Sequence, residues 1–226
     1  GLGDVYKRQV THQSIEDVGI LRTIPNMTIF DCGDATDVES ALNICKEVNG
    51  PIYVRMLRGQ MPRLFSPDKP TEFNKGRVIS EGDDVALFSS SICTEEAMRA
   101  TQWLEKKGVS VQHVHVTTLK PFTDPLVVDS IKKVKHGVVT MENHVTIGGL
   151  GTAVGEVMLE HQLHKQLIKV GINDEWTHGA SKPYLLKKYG LDAASLIRAV
   201  EKILDKELDF NEDELEEIRL EDYDRV

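Results

Sequence analysis

The sequence is poor in the features that mark several large classes of protein. Only three cysteines occur, Cys32, Cys45 and Cys93, widely spaced and odd in number. That excludes a disulfide framework and C-x-x-C redox chemistry, and it suits a reducing compartment, with the cytoplasm as the expected location. Aromatic residues make up only 6%, and no apolar run is long enough to predict a membrane-spanning helix. The first residues are glycine-rich and charged with no apolar stretch behind them, so no secretory signal is read there. A basic patch is missing too. Of the net charge of −9, residues 205–226 supply −8, with eleven acids against three bases. The rest is nearly neutral, which argues against a nucleic-acid partner or an anionic membrane surface. Residues 205–226 are expected to form a solvated, partly helical acidic tail, a docking role for Leu208, Leu215 and Ile218 being the less favoured alternative.

Several chemical signatures are also lacking. There is no G-x-S-x-G elbow and no Walker loop. The stretch ENHVTIGGLGTAVGE invites a dinucleotide reading, but after Gly149 and Gly151 the fingerprint requires glycine at 154, where Val154 stands. These glycines are read instead as permitting a strand-to-helix turn and close helix packing, and His144 as a hydrogen-bonded structural histidine. His113, His115, His136, His161, His164 and His178 show no metal spacing backed by a carboxylate, so no metal site is expected.

What is present is an alternation of helical and strand signals over a chain that is 40% hydrophobic, enough for a substantial core. A capping-box-like pair, Ser14 and Asp17, opens a helix bearing Ile15, Val18 and Leu21. Met27–Phe30 reads as a strand, a second box, Thr36 and Glu39, opens a helix ending at Gly50-Pro51, and Ile52–Arg55 is a strand. Helix, strand, helix, strand is the closing part of a doubly wound α/β domain, since two strands cannot bury these helices. The proline-bearing stretch between Gly59 and Asp84 marks a boundary, with only Arg77–Ser80 strand-like. Beyond it follow strands at 85–89, 109–116, 138–141 and 168–172, with helices at 94–107, 124–134, near 149, at 183–188 and at 192–204. This second unit reads as complete, a mostly parallel sheet wrapped by helices. No internal repeat is evident.

Two places carry candidate chemistry. His12 immediately precedes a predicted helix start, where unpaired N–H groups disfavour an imidazolium; a neutral ring there can donate one hydrogen bond to a carbonyl or hydroxyl oxygen. A capping or solvent role stays open on spacing alone. Arg55 and Arg58, in YVRMLRGQMPRLF, leave a strand at its carboxyl end, where parallel sheets place ligands. A guanidinium there suits a phosphate, or forms a surface ion pair.

At THQSIEDVGILRTIPNM and GPIYVRMLRGQMPRLF the sequence resembles the second half of the transketolase pyrimidine-binding domain. ENHVTIGGLGTAVGE and KPYLLKKYGLDAASL resemble the transketolase C-terminal domain, so the likeness runs from Val10 to Leu204. It implies an α/β fold: a partial thiamine-diphosphate pyrimidine-binding domain with linker over residues 10–70, then a complete C-terminal domain over 71–204 and the acidic tail over 205–226. The size is similar to that of the C-terminal subunit of split, two-gene transketolases. The implied activity is transfer of a two-carbon ketol unit from a ketose phosphate to an aldose phosphate, with thiamine diphosphate as the electron sink. By the same resemblance His12 contacts the ketose near its reacting carbons and Arg58 holds the sugar phosphate. An N-terminal subunit is the implied partner, holding most of the cofactor and its magnesium or calcium ion. Self-association is expected through the C-terminal domain.

The departures point the same way. No diphosphate and metal motif is present, Gly82-Asp83-Asp84 not being one, so no cofactor-binding residue is expected within this chain. The glutamate that activates the aminopyrimidine belongs to a half-domain expected before Val10, where this chain instead reads YKRQV. Residues 1–9, GLGDVYKRQ, resemble a translated adapter end and are read as a sequence artefact, expected to be extended chain. A chain so truncated is expected to be inactive by itself. The alternatives are a non-catalytic assembly or dimerisation module, and a β-type subunit of another thiamine-diphosphate enzyme, such as deoxyxylulose-phosphate synthase or a 2-oxoacid dehydrogenase.

Overall fold

The computed structural model describes residues 14–57, 62–220 and 222–223. His12, Arg58 and residues 1–9 lie outside the described residues.

The first half follows the expected order: α1 (Asp17–Arg22), β1 (Thr28–Asp31), α2 (Ala35–Glu47) and β2 (Ile52–Arg55). The two strands run parallel, with Thr28 opposite Ile52 and Asp31 opposite Arg55. Neither helix is capped as its sequence suggests. Asp34, not Thr36, caps α2 by accepting from the Asp37 N–H at 3.0 Å. Thr36 instead donates to the Phe65 carbonyl, and Glu39 pairs with Arg63. At α1 the position before the helix is Glu16, with no side-chain cap, because Asp17 is drawn away to Tyr53 and Arg55. Local cap signatures lost here to tertiary partners.

The second half contains β3 (Arg77–Ser80), β4 (Val85–Ser89), α3 (Cys93–Lys106), β5 (Val111–His115), β6 (Thr118–Lys120), α4 (Pro125–Lys133), β7 (Gly137–Val145), α5 (Leu150–Glu160) and β8 (Gln166–Ile172). It continues with α6 (Lys182–Lys188), α7 (Ala193–Leu204) and the short α8 (Asp213–Glu216). Five strands form a sheet in the order β3-β5-β4-β7-β8. It is parallel except for β3, which pairs antiparallel with β5 at the edge. β4 lies at its centre, and its apolar run Val85-Ala86-Leu87-Phe88 is wholly buried because helices cover both faces. Leu87 joins Val139, Trp103, Leu196 and Val200 on one face. Ala86 and Phe88 join Val138, Ile131 and Val154 on the other, and that second cluster takes in Val18 and Ile29 from the first half.

β6 was not legible as a strand. It pairs antiparallel with β1, Phe30 opposite Thr118, and completes a three-stranded sheet in the order β2-β1-β6. A strand late in the chain thus supplies part of the sheet that two early strands cannot make.

The acidic tail is docked rather than solvated. Leu208 and Ile218 are buried, with Phe210, Leu215 and Leu220 packed against the same core. Phe210 meets Trp103 edge-on at 5.1 Å, and the Trp103 indole N–H donates to Glu214. Further on, the Arg63 N–H donates to the Asp222 carboxylate and the Tyr223 N–H donates to the Arg63 carbonyl, each at 3.0 Å. Leu208, Leu215 and Ile218, the residues of the less favoured docking reading, join Phe210 in an apolar series that covers the outer side of α3.

Candidate functional site

Arg55 stands at the carboxyl end of β2, where a ligand-binding arginine or a surface ion pair was expected; it forms a buried ion pair instead. Its side chain is 10% exposed, and it is hydrogen-bonded to three described residues. Nε donates to Asp17 Oδ2 at 2.8 Å, Nη1 to Asn143 Oδ1 at 2.6 Å, and Nη2 to the carbonyls of Ser14 and Asn143 at 2.9 and 3.1 Å. The Tyr53 hydroxyl donates to the same Asp17 oxygen at 2.8 Å. Asp31 lies beneath, its Oδ1 ion-paired with Nη1 at 3.6 Å but without a hydrogen bond.

The electrostatics follow from burial and neighbours. Burial works against the Arg55 charge, but Asp31 and Asp17 outweigh it and hold the guanidinium proton more firmly than usual. Burial also opposes ionisation of Asp17, yet Arg55 and the Tyr53 hydroxyl bring its carboxyl below the ordinary range. For Asp31 burial prevails over the more distant Arg55, and its carboxyl is pushed up.

This cluster joins the segments that flank the two predicted site residues. Ser14 follows His12 by two positions, and Arg55 precedes Arg58 by three. The end of β7 completes the arrangement. Val145 N–H donates to the Ile15 carbonyl at 2.8 Å, and the Gly19 N–H donates to His144 Nε2 at 3.1 Å. His144 Nδ1 lies 2.7 Å from the Val145 carbonyl. That pattern requires the neutral ring protonated at Nδ1, and burial lowers the pKa accordingly. His144 is therefore structural, as its sequence context suggested. Sequence reasoning missed Asp17, Asp31 and Asn143; the one available signal was a strand ending in a charge, YVR, beside an acidic helix start.

Close approach of α1 to the turn after β7 depends on glycine. A Cβ on Gly148, whose φ is +84°, would lie 2.8 Å from the Gly19 Cα. The neighbouring Gly149 leaves room for Glu142, whose two carboxylate oxygens accept from the Leu150 and Gly151 N–H groups at the start of α5, at 2.6 and 2.8 Å. Glu142 thereby occupies the anion seat that a dinucleotide phosphate takes at such a helix start. Burial pushes its carboxyl up to about 7, against the pull of those two N–H groups.

A second polar series runs between the two sheets. His113 contacts the hydroxyls of Thr101 at 3.1 Å and Ser89 at 2.8 Å. Ser89 contacts Thr94 at 3.0 Å, Thr94 contacts His115 Nδ1 at 2.7 Å, and His115 Nε2 meets Asp37 at 2.8 Å. Asp37 also accepts from Gly33 N–H and from the Thr71 hydroxyl. Among the described residues no group of three His, Cys, Asp or Glu side chains is arranged to hold a metal.

With this geometry in place, comparison with known proteins is informative. Residues 74–196 match the family model of the transketolase C-terminal domain, and residues 4–63 match that of the transketolase pyrimidine-binding domain. The chain belongs to the transketolase family. It is 35% identical over 199 residues to a transketolase C-terminal section of Methanocaldococcus jannaschii, covering 87% of this chain and 62% of that protein. It is 34% identical over 196 residues to a 6-deoxy-6-sulfo-D-fructose transketolase subunit of a Clostridium species, covering 87% and 60%. A solved structure described as a split-gene transketolase, an inactive β4 tetramer, is similar at 38% identity and a TM-score of 0.79, covering 87% of this chain and 63% of that one. This transketolase-family chain thus spans about 60% of the length of these two curated relatives.

Proposed function

We propose that this chain is the C-terminal subunit of a split, thiamine-diphosphate-dependent transketolase, moving a two-carbon ketol unit between sugar phosphates. The observation that carries the reading is the likeness to the split-gene transketolase at 38% identity and a TM-score of 0.79, over a chain that matches both family domains. In this reading His12 is a neutral hydrogen-bond donor to the ketose near its reacting carbons, and Arg58 fixes the anionic end of the sugar by paired donors. The Clostridium relative is named for a substrate bearing a sulfonate on its terminal carbon. An arginine suits either tetrahedral anion, so the donor is defined by its charge and its ketose end.

Thiamine diphosphate supplies the electron sink when bound. Among the described residues the start of α5 is filled by Glu142, Asp37 is committed to His115, and Asp31 lies beneath Arg55. The cofactor and its magnesium or calcium ion are therefore assigned mainly to an N-terminal partner subunit, with self-association through residues 71–204. The solved relative described as an inactive tetramer of β chains supports both the partner and the inactivity of this chain alone. A cytoplasmic site is supported by three cysteines that are all free; no described helix is long and apolar enough to cross a membrane.

The test is ketol transfer by the full-length chain purified with its cognate N-terminal subunit, with and without thiamine diphosphate, using xylulose 5-phosphate or pyruvate as donor. Transfer from the ketose phosphate, dependent on both subunits and on cofactor, is expected. Use of pyruvate alone, or no transfer with both subunits present, would overturn the reading.

A further inference from the structure

We propose that the groove between α5 and the edge strand β8, with the exposed Leu159 beside it, is the face through which two copies of this chain pair about a twofold axis. The inference rests on the self-association proposed above and deepens it by naming the surface and its occupant.

β8 closes one side of the five-stranded sheet. Between it and α5 runs an open groove of about 590 Å³, lined by Gly151, Gly155 and Met158 of α5 and by Leu163, Leu167 and Lys169. The groove is open because Gly155 carries no side chain: a Cβ there would have only Leu167 Cδ2 within reach, at 3.5 Å. Leu159 stands one helical turn further along α5 and is 81% exposed. The apolar surface extends to Ile147, in the turn that leads into α5, which is 64% exposed. Arg22 ties α1 to that turn by donating to the Gly148 carbonyl at 2.9 Å, and Ile20 on α1 is 59% exposed. A knob and a hole side by side on one helix face cannot fill each other within one molecule; two copies related by a twofold axis can fill both.

The charges around the groove select a second copy as the occupant. Elsewhere on the surface lysines pair with acids of the same chain, as Lys107 does with Glu214, Lys133 with Glu81 and Lys187 with Glu212. At the groove they do not. Lys165 and Lys169 donate instead to the carbonyls of Val134 and Thr146, at 2.7 and 2.6 Å, and each ammonium has two further donors. Glu160, at the end of α5, is exposed and forms no ion pair among the described residues. One edge of the groove thus bears an uncompensated acid and the other uncompensated bases. Because α5 runs away from the turn and β8 runs back toward it, Glu160 and Lys165 lie at the same end. A twofold axis along the groove sets Glu160 of each copy over Lys165 of the other and turns each Leu159 toward the opposite groove. A chain with a net charge of −9 repels its own copies over most of its surface, so a face on which bases meet acids is where pairing is favoured.

Sedimentation velocity over a dilution series tests this, on the full-length chain alone and with its N-terminal subunit. Leu159→Asp is expected to take the chain down one step of assembly, tetramer to dimer or dimer to monomer, raising the dissociation constant of that step at least about tenfold. Glu160→Lys should weaken the same step, and adding Lys165→Glu to it should restore the constant to within about threefold of wild type. Leu159 and Glu160 are both exposed, so these two variants remain informative if the lysine change disturbs folding. Self-association untouched by Leu159→Asp and Glu160→Lys would overturn this face and leave self-association standing. A double variant no better than Glu160→Lys alone would overturn the twofold pairing of the charges. A wild-type chain that stays monomeric would overturn the face and self-association together. Loss of binding to the N-terminal subunit with self-association intact would show that the groove takes that subunit, and would overturn the second copy as its occupant. None of these outcomes depends on ketol transfer, so the proposed activity stands or falls separately.

Discussion

His115 Nε2 lies 2.8 Å from a carboxylate oxygen of Asp37, 78 residues earlier in the chain, and both side chains are fully enclosed. The pair joins β5 of the five-stranded sheet to α2, which packs on the three-stranded one. Burial opposes ionisation of Asp37, but His115, Thr71 and the Gly33 N–H more than offset it and hold the carboxyl below its usual range.

Removing one member of such a pair leaves the other buried and uncompensated. Asp37→Ala is expected to cost about 3–5 kcal/mol in urea unfolding, and Asp37→Asn less, because the amide retains an acceptor for Gly33 or His115. Equal losses from both would show that the charge, not the hydrogen bonding, is decisive.

His113 gives the chain a defined acid sensitivity. Burial, followed by the proximity of His115, depresses its pKa from 6.5 to about 3. The unfolded chain therefore binds the proton first, and stability from this residue is present above about pH 6.5 and lost as the pH falls toward 3. Comparing unfolding free energies from pH 6 to pH 4, the wild-type slope should exceed that of His113→Gln by up to about 1.4 kcal/mol per pH unit. Parallel curves would remove His113 as the cause.

Glu142 is expected to matter more as an acceptor than as a charge. Glu142→Ala strands the Leu150 and Gly151 N–H groups at a buried helix start, at a cost of about 2–3 kcal/mol. Gly149→Ala should be at least as damaging, since its Cβ would fall 2.0 Å from Glu142 Oε2. Thermal unfolding of the two variants checks both.

Deleting residues 208–226 should destabilise the chain by several kcal/mol, given about 1.5–3 kcal/mol for each fully buried large apolar side chain and the seating of Leu208, Phe210 and Ile218. High salt should not reproduce the loss, because the Lys107–Glu214 and Lys187–Glu212 pairs are exposed and contribute little. A tail released by 1 M sodium chloride, read by Trp103 fluorescence, would contradict this account.

Much of the second sheet was legible because its signals are local. Val85–Ser89 was read to the residue, Asp124 caps α4 as expected, and the failed dinucleotide fingerprint at Val154 corresponds to a helix start closed by the protein's own Glu142. The THQ and MLRGQ stretches were likewise readable as a family likeness, and the transketolase domain matches bear that likeness out.

What the sequence determined by itself was therefore the alternation of elements and the family, since periodicity, caps and motifs are written in neighbouring residues. Tertiary structure alone decided the rest. It brought β6 to the early sheet, Asn143 to Arg55, Asp37 to His115 and the tail to α3. Each of these contacts satisfies a buried polar or apolar group with a partner far along the chain. The cost of leaving such a group unpaired in the interior is set by the packed fold, and no local pattern records it.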